Sequence, residues 1–193
     1  MEVLIGFIGS LIKIGILSSI YALLTLWTFK LIGKFRPNSW FERVSTNKRR
    51  LWSISGLIFS FGLLFYLFSY WGFHGFGDGP RIPIGHGLIV DNTNWTEYGY
   101  VEEIKTTDTI VVEMTKFIVV DDKLIGNLDS WFYDYKNSYF IYDMRTKKML
   151  EFKTETEFNK YAKTNNLGSA YKLQTFRENY LSFWGGWRFW LLA

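Results

Sequence analysis

Two long apolar runs separated by a short basic segment constrain this chain more than any other feature. Residues 3–29 include one charged side chain, Lys13, and residues 51–72 include none. About 20 residues of helix cross the hydrocarbon core of a bilayer, so both runs are long enough to span it. Neither run has the polar stripe of a helix buried in a soluble protein. The sequence therefore predicts a transmembrane helical hairpin at residues 1–72.

The segment between the two runs, residues 30–50, is strongly basic. It has one acidic residue, Glu42, and seven basic residues: Lys30, Lys34, Arg36, Arg43, Lys48, Arg49 and Arg50. Short basic loops between membrane helices remain on the cytoplasmic side. We therefore expect helices over about 3–29 and 51–72, a cytoplasmic loop over 30–50, and both termini outside. Everything after residue 72 is then extracytoplasmic.

Lys13 and the start of the chain need separate interpretations. A cleavable signal peptide has a basic start and an apolar stretch of about 7–15 residues. The sequence begins Met1-Glu2 and the first run is longer, so we expect a retained helix. An ionisable residue inside a span is often functional. We favour the simpler alternative, in which the Lys13 ammonium snorkels towards the outer interface.

Small residues recur four positions apart in both runs, as in Gly6/Ser10, Gly15/Ser19 and Gly56/Ser60. Such pairs let helix backbones approach closely in lipid. They predict packing of the two helices against each other, with self-association or docking on another membrane protein as the alternative.

Charge and cysteine content exclude several classes of function. The formal net charge is +4, but residues 73–193 contain 14 Lys/Arg and 16 Asp/Glu. The basic character therefore belongs to the loop, and the domain has no excess charge to attract nucleic acid. The chain has no cysteine, which excludes disulfides, cysteine nucleophiles and thiolate metal sites.

Residues 73–87 are rich in glycine and proline, which predicts a linker or shaped loop without regular structure for most of its length. Both histidines of the chain, His74 and His86, lie here with Asp78 and Arg81. These four residues are the candidate binding site, for an anion or a metal. Their spacing matches no zinc pattern, so we favour a polar linker and predict no metal site and no cofactor.

Residues 88–193 predict a small α+β, β-rich domain. Strands are expected at 88–90, 98–104, 109–120 and 124–128, where β-branched and aromatic residues cluster. The continuous apolar run at 117–120 indicates a strand buried on both faces, or a bulge. A hairpin of strands 139–142 and 148–152 precedes Thr154 and Glu157, a capping-box pair that begins a helix over 155–164. Residues 175–184 predict a second helix, ended by Gly185-Gly186.

The C-terminal tail is rich in tryptophan and too short to span a bilayer. Trp184, Trp187, Arg188 and Trp190 suit a membrane interface, where aromatic rings lie at headgroup depth. Two alternatives stay open: the tail completes the core of the domain, or it fills a partner's groove.

We find no catalytic constellation in the sequence. The motifs of serine hydrolases, zinc proteases and dinucleotide-binding enzymes do not occur. Residues 75–87, 138–163 and 185–192 resemble segments of small bacterial envelope proteins. This resemblance implies a bacterial inner-membrane protein and no particular activity.

The favoured hypothesis is a non-enzymatic, membrane-anchored interaction or accessory protein of the bacterial inner (cytoplasmic) membrane. Its small periplasmic domain would bind an envelope partner, and its expected partners are the lipid bilayer and a membrane or periplasmic protein, or a second copy of the chain. One alternative is a ligand-gated two-helix membrane effector, which requires a cytosolic domain. The other is a surface enzyme acting on lipid or envelope polymer, with His74, Asp78, Arg81 and His86 as its polar centre.

Overall fold

The computed structural model describes residues 2–76, 79–104, 111–130, 134–167 and 169–192. The chain divides into two compact units. We call them the hairpin unit, Met1–Phe73 with Trp187–Ala193, and the sheet unit, His74–Gly186. The helices are α1 (Glu2–Phe35), α2 (Trp40–Thr46), α3 (Lys48–Leu67), α4 (Glu155–Thr164), α5 (Phe176–Trp184) and α6 (Trp187–Leu191). The strands are β1 (Arg81–Gly85), β2 (Leu88–Asn92), β3 (Gly99–Val101), β4 (Val112–Met114), β5 (Lys116–Val120), β6 (Lys123–Asn127), β7 (Tyr139–Asp143), β8 (Lys148–Phe152) and β9 (Gln174–Thr175).

In the hairpin unit, α1 and α3 form an antiparallel pair. The rings of Phe7 and Phe68 lie 6.4 Å apart near one end, and those of Tyr21 and Phe59 lie 5.4 Å apart further along. By length and composition, both helices are able to cross a membrane. The predicted N-terminal hairpin of two long apolar helices is therefore confirmed.

The basic segment is mostly helical, so the expectation of a loop over residues 30–50 is wrong for most of its length. Its two helix starts are capped locally. Ser39 Oγ accepts from Glu42 N, while a Glu42 carboxylate oxygen accepts from Asn38 N at 2.6 Å. Asn47 Oδ1 accepts from Arg50 N at 3.1 Å and caps α3. The caps supply partners to N–H groups that a helix start leaves free, and this lets short helical segments fit between α1 and α3.

Small side chains make the closest contacts inside the hairpin unit. A Cβ on Gly33 would lie 3.0 Å from the Glu42 Cα, so α2 approaches α1 there as closely as glycine allows. A Cβ on Gly56 would lie 3.8 Å from the Ala22 Cβ, which places this predicted small residue at the α1–α3 contact. A Cβ on Gly15 would meet no described atom within 4 Å, so Gly15 is not part of that contact.

The sheet unit has two antiparallel sheets among its described residues. One has the strand order β1-β2-β3-β4 and the other β8-β7-β6-β5-β9. Side chains from both sheets and from α5 share one central cluster: Ile82, Ile84, Leu88, Val90, Val101, Ile104, Val112, Met114, Phe117, Leu124, Leu128, Phe140, Tyr142, Met144 and Phe176. The opposite face of the second sheet packs on α4 through Ile125, Ile141, Phe158, Ala162 and Leu173.

The second sheet is covered on both faces, and this explains the continuous apolar run at 117–120. Phe117 belongs to the central cluster, whereas Ile118 and Val120 pack with the α4 cluster. Strands with two covered faces lose the alternation of apolar and polar residues. Phe117 is buried, but Ile118 and Val120 are only partly buried and Val119 is 38% exposed, so the interpretation of a strand buried on both faces is wrong for most of β5.

The predicted strand over 109–120 is two strands in different sheets, β4 and β5. Asn127 holds the corner between them. Its amide donates to Thr115 Oγ1 at 2.6 Å, and its Oδ1 accepts from Lys116 N at 2.7 Å. The first part of the predicted strand, 109–110, lies outside the described residues.

The predicted hairpin is confirmed by β7 and β8, and the predicted helix by α4. Thr154 Oγ1 accepts from Glu157 N as expected, but the Glu157 carboxylate accepts from Lys153 N. The reciprocal capping box is instead found at α5. Thr175 accepts from Glu178 N, and the Glu178 carboxylate accepts from Thr175 N.

The expectation that 73–87 lacks regular structure is wrong for Arg81–Gly85, which form β1. Pro83 is compatible with this strand because β1 is at the edge of its sheet, where a missing donor removes no ladder bond. In the turn that follows β1, two glycines adopt backbone conformations that other residues rarely adopt. Gly85, His86 and Gly87 all have positive φ angles, of 105°, 52° and 81°.

Candidate functional site

Two of the four predicted binding residues, His74 and Arg81, lie where the chain enters β1. Arg81 Nε is 2.6 Å from Asp91 Oδ1, its partner across the strand pair. Trp184 Nε1 donates to the Arg81 carbonyl at 2.6 Å, and the His74 ring meets the Trp184 ring edge-on at 5.6 Å. Arg81 and Trp184 therefore join β1 to β2 and α5, and the geometry is that of a structural junction.

The electrostatics of this junction are set by burial. The Asp91 side chain is 18% exposed. Burial raises the pKa of the Asp91 carboxyl above its usual value, and the Arg81 guanidinium partly offsets that rise. The ion pair is the compensation that a buried carboxylate requires.

His86 lies at the other end of β1, in a cluster of turns. Its Nε2 is 2.8 Å from Asp122 Oδ1 in the β5–β6 turn. Arg145, in the β7–β8 turn, places Nη1 3.9 Å from Asp122 Oδ2. We call His86, Asp122 and Arg145 the turn cluster. The sequence did not indicate Asp122 as a site residue, because only the tertiary structure brings the three separate turns together.

The structure separates the predicted site into two places. Arg81 is the first residue of β1 and His86 follows its last, so the four steps of the strand separate them by about 13 Å. Asp78 lies outside the described residues. Among the described residues, no group of three His, Cys, Asp or Glu side chains is arranged to hold a metal ion.

The turn cluster resembles two parts of a hydrolytic triad, a histidine and a carboxylate. Here Asp122 also faces a second ionic residue, Arg145, whose side chain is 72% exposed.

An aromatic column crosses the sheet unit beside the Arg81 junction. The Tyr180 ring is 4.9 Å from that of Trp95, 6.1 Å from that of Phe176 and 6.4 Å from that of Trp184. Burial raises the pKa of Tyr180 to about 12. The phenol therefore stays neutral at physiological pH and serves packing.

The four predicted interface residues fall in different units. Trp184 is in α5 of the sheet unit, whereas Trp187, Arg188 and Trp190 are in α6 of the hairpin unit. Trp187 and Trp190 are 62% and 71% exposed. The membrane-interface position and its two alternatives stay predictions for the tail.

Helix α6 packs on α1 around Lys13. The Lys13 ammonium lies 4.9 Å from the centre of the Phe189 ring, within the range of a cation–π contact. Tyr21 donates its hydroxyl hydrogen to the Leu191 carbonyl at 2.5 Å. Sequence reasoning missed this contact, although a lone lysine in one apolar segment and aromatic residues in another were both visible.

The predicted topology residues surround one end of the hairpin unit, and a groove opens beside two of them. A cavity of about 730 Å³ lies between α1, α2 and α3, with Arg43, Asn47 and Arg50 at its polar end. Lys30 and Lys34 are in the last turns of α1, Arg36 follows that helix, and Lys48 and Arg49 begin α3. Sequence reasoning identified these cations but not the groove, because the helical form of residues 40–46 was not predicted.

Comparisons with protein-family models, with curated proteins and with solved structures give no match for this chain. Function is therefore argued from the chain's own residues.

Proposed function

We propose that this chain is a non-enzymatic, membrane-anchored interaction protein. In this proposal α1 and α3 cross the bacterial inner membrane, the segment 30–50 is cytoplasmic, and the sheet unit binds an envelope partner on the outer side. The observation that carries the proposal is the apolar exterior of the hairpin unit. Phe65 is 78% exposed and Ile5 62%, whereas Ser18 is 5% exposed. An apolar exterior of this extent is favourable in lipid and costly in water.

The orientation is supported by the cations at one end of the hairpin unit. Residues 30–50 have seven basic residues and one acidic residue, Glu42, so the charge of that end is strongly positive. The bias of Lys and Arg towards cytoplasmic loops supports an inside position for this end. An α3 of 20 residues is about 30 Å long, the thickness of a hydrocarbon core.

Interaction is favoured over catalysis by the separation of the polar residues. An enzyme centred on the candidate binding residues needs His74 and His86 in one site, and they lie at opposite ends of β1. The exposed ionic groups of the turn cluster are suited to a charged partner surface.

Orientation is tested with single introduced cysteines, since the chain has none of its own. Thr46→Cys, in α2, and Lys160→Cys, in α4, are exposed positions in the two units. In intact cells an impermeant maleimide is expected to label Lys160→Cys but not Thr46→Cys. Thr46→Cys is expected to be labelled after the membrane is made permeable. Labelling of Thr46→Cys alone in intact cells would show the opposite topology and would favour the ligand-gated effector.

Partner binding is tested by detergent extraction from native membranes and affinity purification of the full chain. We expect co-purification of an envelope protein that is lost in the charge-reversed variant Arg145→Glu and kept in Lys160→Glu. Recovery of the chain alone at monomer size would overturn the interaction proposal.

A further inference from the structure

The groove of the hairpin unit has a polar end and an apolar length. The cavity of about 730 Å³ adjoins a second of about 390 Å³, and the two share Thr25, Phe29 and Phe59. The second cavity continues along α1 to Tyr21 and Leu24. Tyr21 and Phe29 are eight residues apart, so this part of the groove follows α1 for about 12 Å. Each of the two cavities is by itself within the range of ordinary ligand sites.

The lining offers almost no polar partner away from the arginines. The hydroxyls of Thr25 and Ser55 are already donated to carbonyls of their own helices, Tyr21 O at 2.9 Å and Leu51 O at 2.7 Å. The other walls include Phe29, Ile54 and Ile58. Hydrocarbon is therefore favoured along this stretch, because these hydroxyls have no hydrogen left to donate to a polar group of a ligand.

The polar end is built to receive an anion. Arg43 and Arg50 reach it from α2 and α3, and among the described residues neither forms an ion pair. The first turn of α3 has no acidic residue, and Lys48, Arg49 and Arg50 all lie there. Three cations at a helix N-terminus oppose the helix dipole, and a bound anion relieves that repulsion. Two guanidinium groups are also the preferred partners of a phosphate.

We propose that this groove binds one anionic glycerophospholipid, with the phosphate between Arg43 and Arg50 and an acyl chain along Phe29 and Phe59 towards Tyr21. The charge at one end and hydrocarbon lining elsewhere match an amphiphile and not a water-soluble anion. The inference rests on the proposed membrane anchoring, which places the arginines at the inner headgroup level, where anionic lipids are concentrated.

The test uses the full chain purified in a neutral detergent and native mass spectrometry with added lipids. Phosphatidylglycerol is compared with phosphatidylcholine of the same acyl chains, and with glycerol phosphate, which has no acyl chain. We expect saturable binding of one phosphatidylglycerol, binding at least about tenfold weaker for phosphatidylcholine, and none for glycerol phosphate. Equal binding of the two lipids would overturn the proposal.

Two double variants are compared, Arg43→Gln/Arg50→Gln and Lys48→Gln/Arg49→Gln. The comparison distinguishes a defined lipid site from general attraction of anionic lipid to positive charge. Each double variant removes two positive charges from the same end of the hairpin unit. Only Arg43 and Arg50 line the groove. The first is expected to weaken phosphatidylglycerol binding by about tenfold or more, and the second by less than about threefold. Equal weakening by both would show diffuse electrostatic attraction only and overturn the proposal.

The apolar half of the site is tested with Ile58→Trp, which narrows the groove and leaves the charge unchanged. This variant should also lose bound lipid. Retention of the lipid would show that the acyl chain lies elsewhere and overturn the placement.

Carbonate extraction of membranes with each variant distinguishes failure of this inference from failure of the anchoring proposal. Release of the wild-type chain by carbonate would overturn both the anchoring proposal and the lipid-site inference. A chain that resists carbonate but shows no lipid selectivity would overturn the lipid-site inference alone.

Discussion

The hairpin unit and the sheet unit differ in where most of their large apolar side chains lie. In the sheet unit the largest fully buried residues are aromatic: Phe117, Phe140, Phe158 and Phe176. In α1 and α3 the buried set includes Ser10, Ser18 and Ser55, while most of the large apolar residues face outwards. The sheet unit is organised by removal of apolar area from water. In the hairpin unit a small residue lies at the α1–α3 contact, where a Cβ on Gly56 would be 3.8 Å from the Ala22 Cβ.

The largest expected effect is the loss of stability when a buried phenylalanine is replaced by alanine. Phe158 is fully buried between α4 and the second sheet, so Phe158→Ala should destabilise the sheet unit by about 3–5 kcal/mol. Phe65→Ala, on the exposed face of α3, should cost about 0.5 kcal/mol or less. Thermal unfolding of the full chain in detergent, followed by near-ultraviolet circular dichroism, measures both. A similar cost for the two variants would contradict the division between the units.

Glycine substitutions sharpen the same contrast. A Cβ on Gly126 would lie 2.8 Å from the Phe140 ring and 3.0 Å from the Lys116 carbonyl oxygen. Gly126→Ala should therefore cost about 1–3 kcal/mol by overpacking. A Cβ on Gly62, in α3, would meet nothing within 4 Å, and Gly62→Ala should stabilise the helix by up to about 1 kcal/mol. Opposite shifts in the unfolding midpoints of the two variants are the expected result.

Caps should matter for the short helices of the sheet unit. Thr175 begins α5, which has nine residues, and takes part in a reciprocal capping box with Glu178. Thr175→Ala should destabilise the sheet unit by about 1 kcal/mol. Thr164→Ala is the matched control, because Thr164 Oγ1 bonds only to the Lys160 carbonyl of its own helix. Urea unfolding midpoints of both variants give the measurement, and equal losses would argue against a specific role for the cap.

The smallest expected effect is a pH dependence in the β7–β8 turn. The backbone N–H of Thr146, with that of Arg145, holds the pKa of the Asp143 carboxyl below its usual value. A carboxyl with a lowered folded-state pKa adds stability above its unfolded pKa, about 3.9, and loses it as the pH falls through the folded value. Asp143→Asn keeps the turn acceptor but cannot ionise. The difference in stability between wild type and this variant should be constant at neutral pH and shrink as the pH falls below about 4 and through the lower folded-state pKa of Asp143.

Periodicity and turn chemistry predicted much of this fold. The two apolar runs, the 139–152 hairpin and α4 follow from local patterns, because their residues interact mainly with near neighbours. Residues 81–85 were missed since glycine and proline dominate the local signal, whereas Pro83 is accommodated by the strand's edge position. The break at Thr115 was missed because it depends on Asn127, a residue twelve positions away.

The candidate site was predicted less well than the fold. His86 was identified, but its partners Asp122 and Arg145 come from two other turns, and sequence distance hides such contacts. The basic residues were identified as a topology signal, while the groove beside Arg43 and Arg50 depends on a short helix that composition did not indicate. The Lys13–Phe189 contact joins residues near opposite ends of the chain.

The sequence by itself determined that this protein has two long apolar helices, a basic connection between them and a β-rich remainder. These properties depend on composition and on short-range periodicity, which any window of the chain reveals. Only the tertiary structure decided which helix α6 packs on, which sheet each half of the 112–120 segment joins, and which cations border a groove. Each of those depends on contacts between residues far apart in the chain, and such contacts are set by the packing of the whole unit.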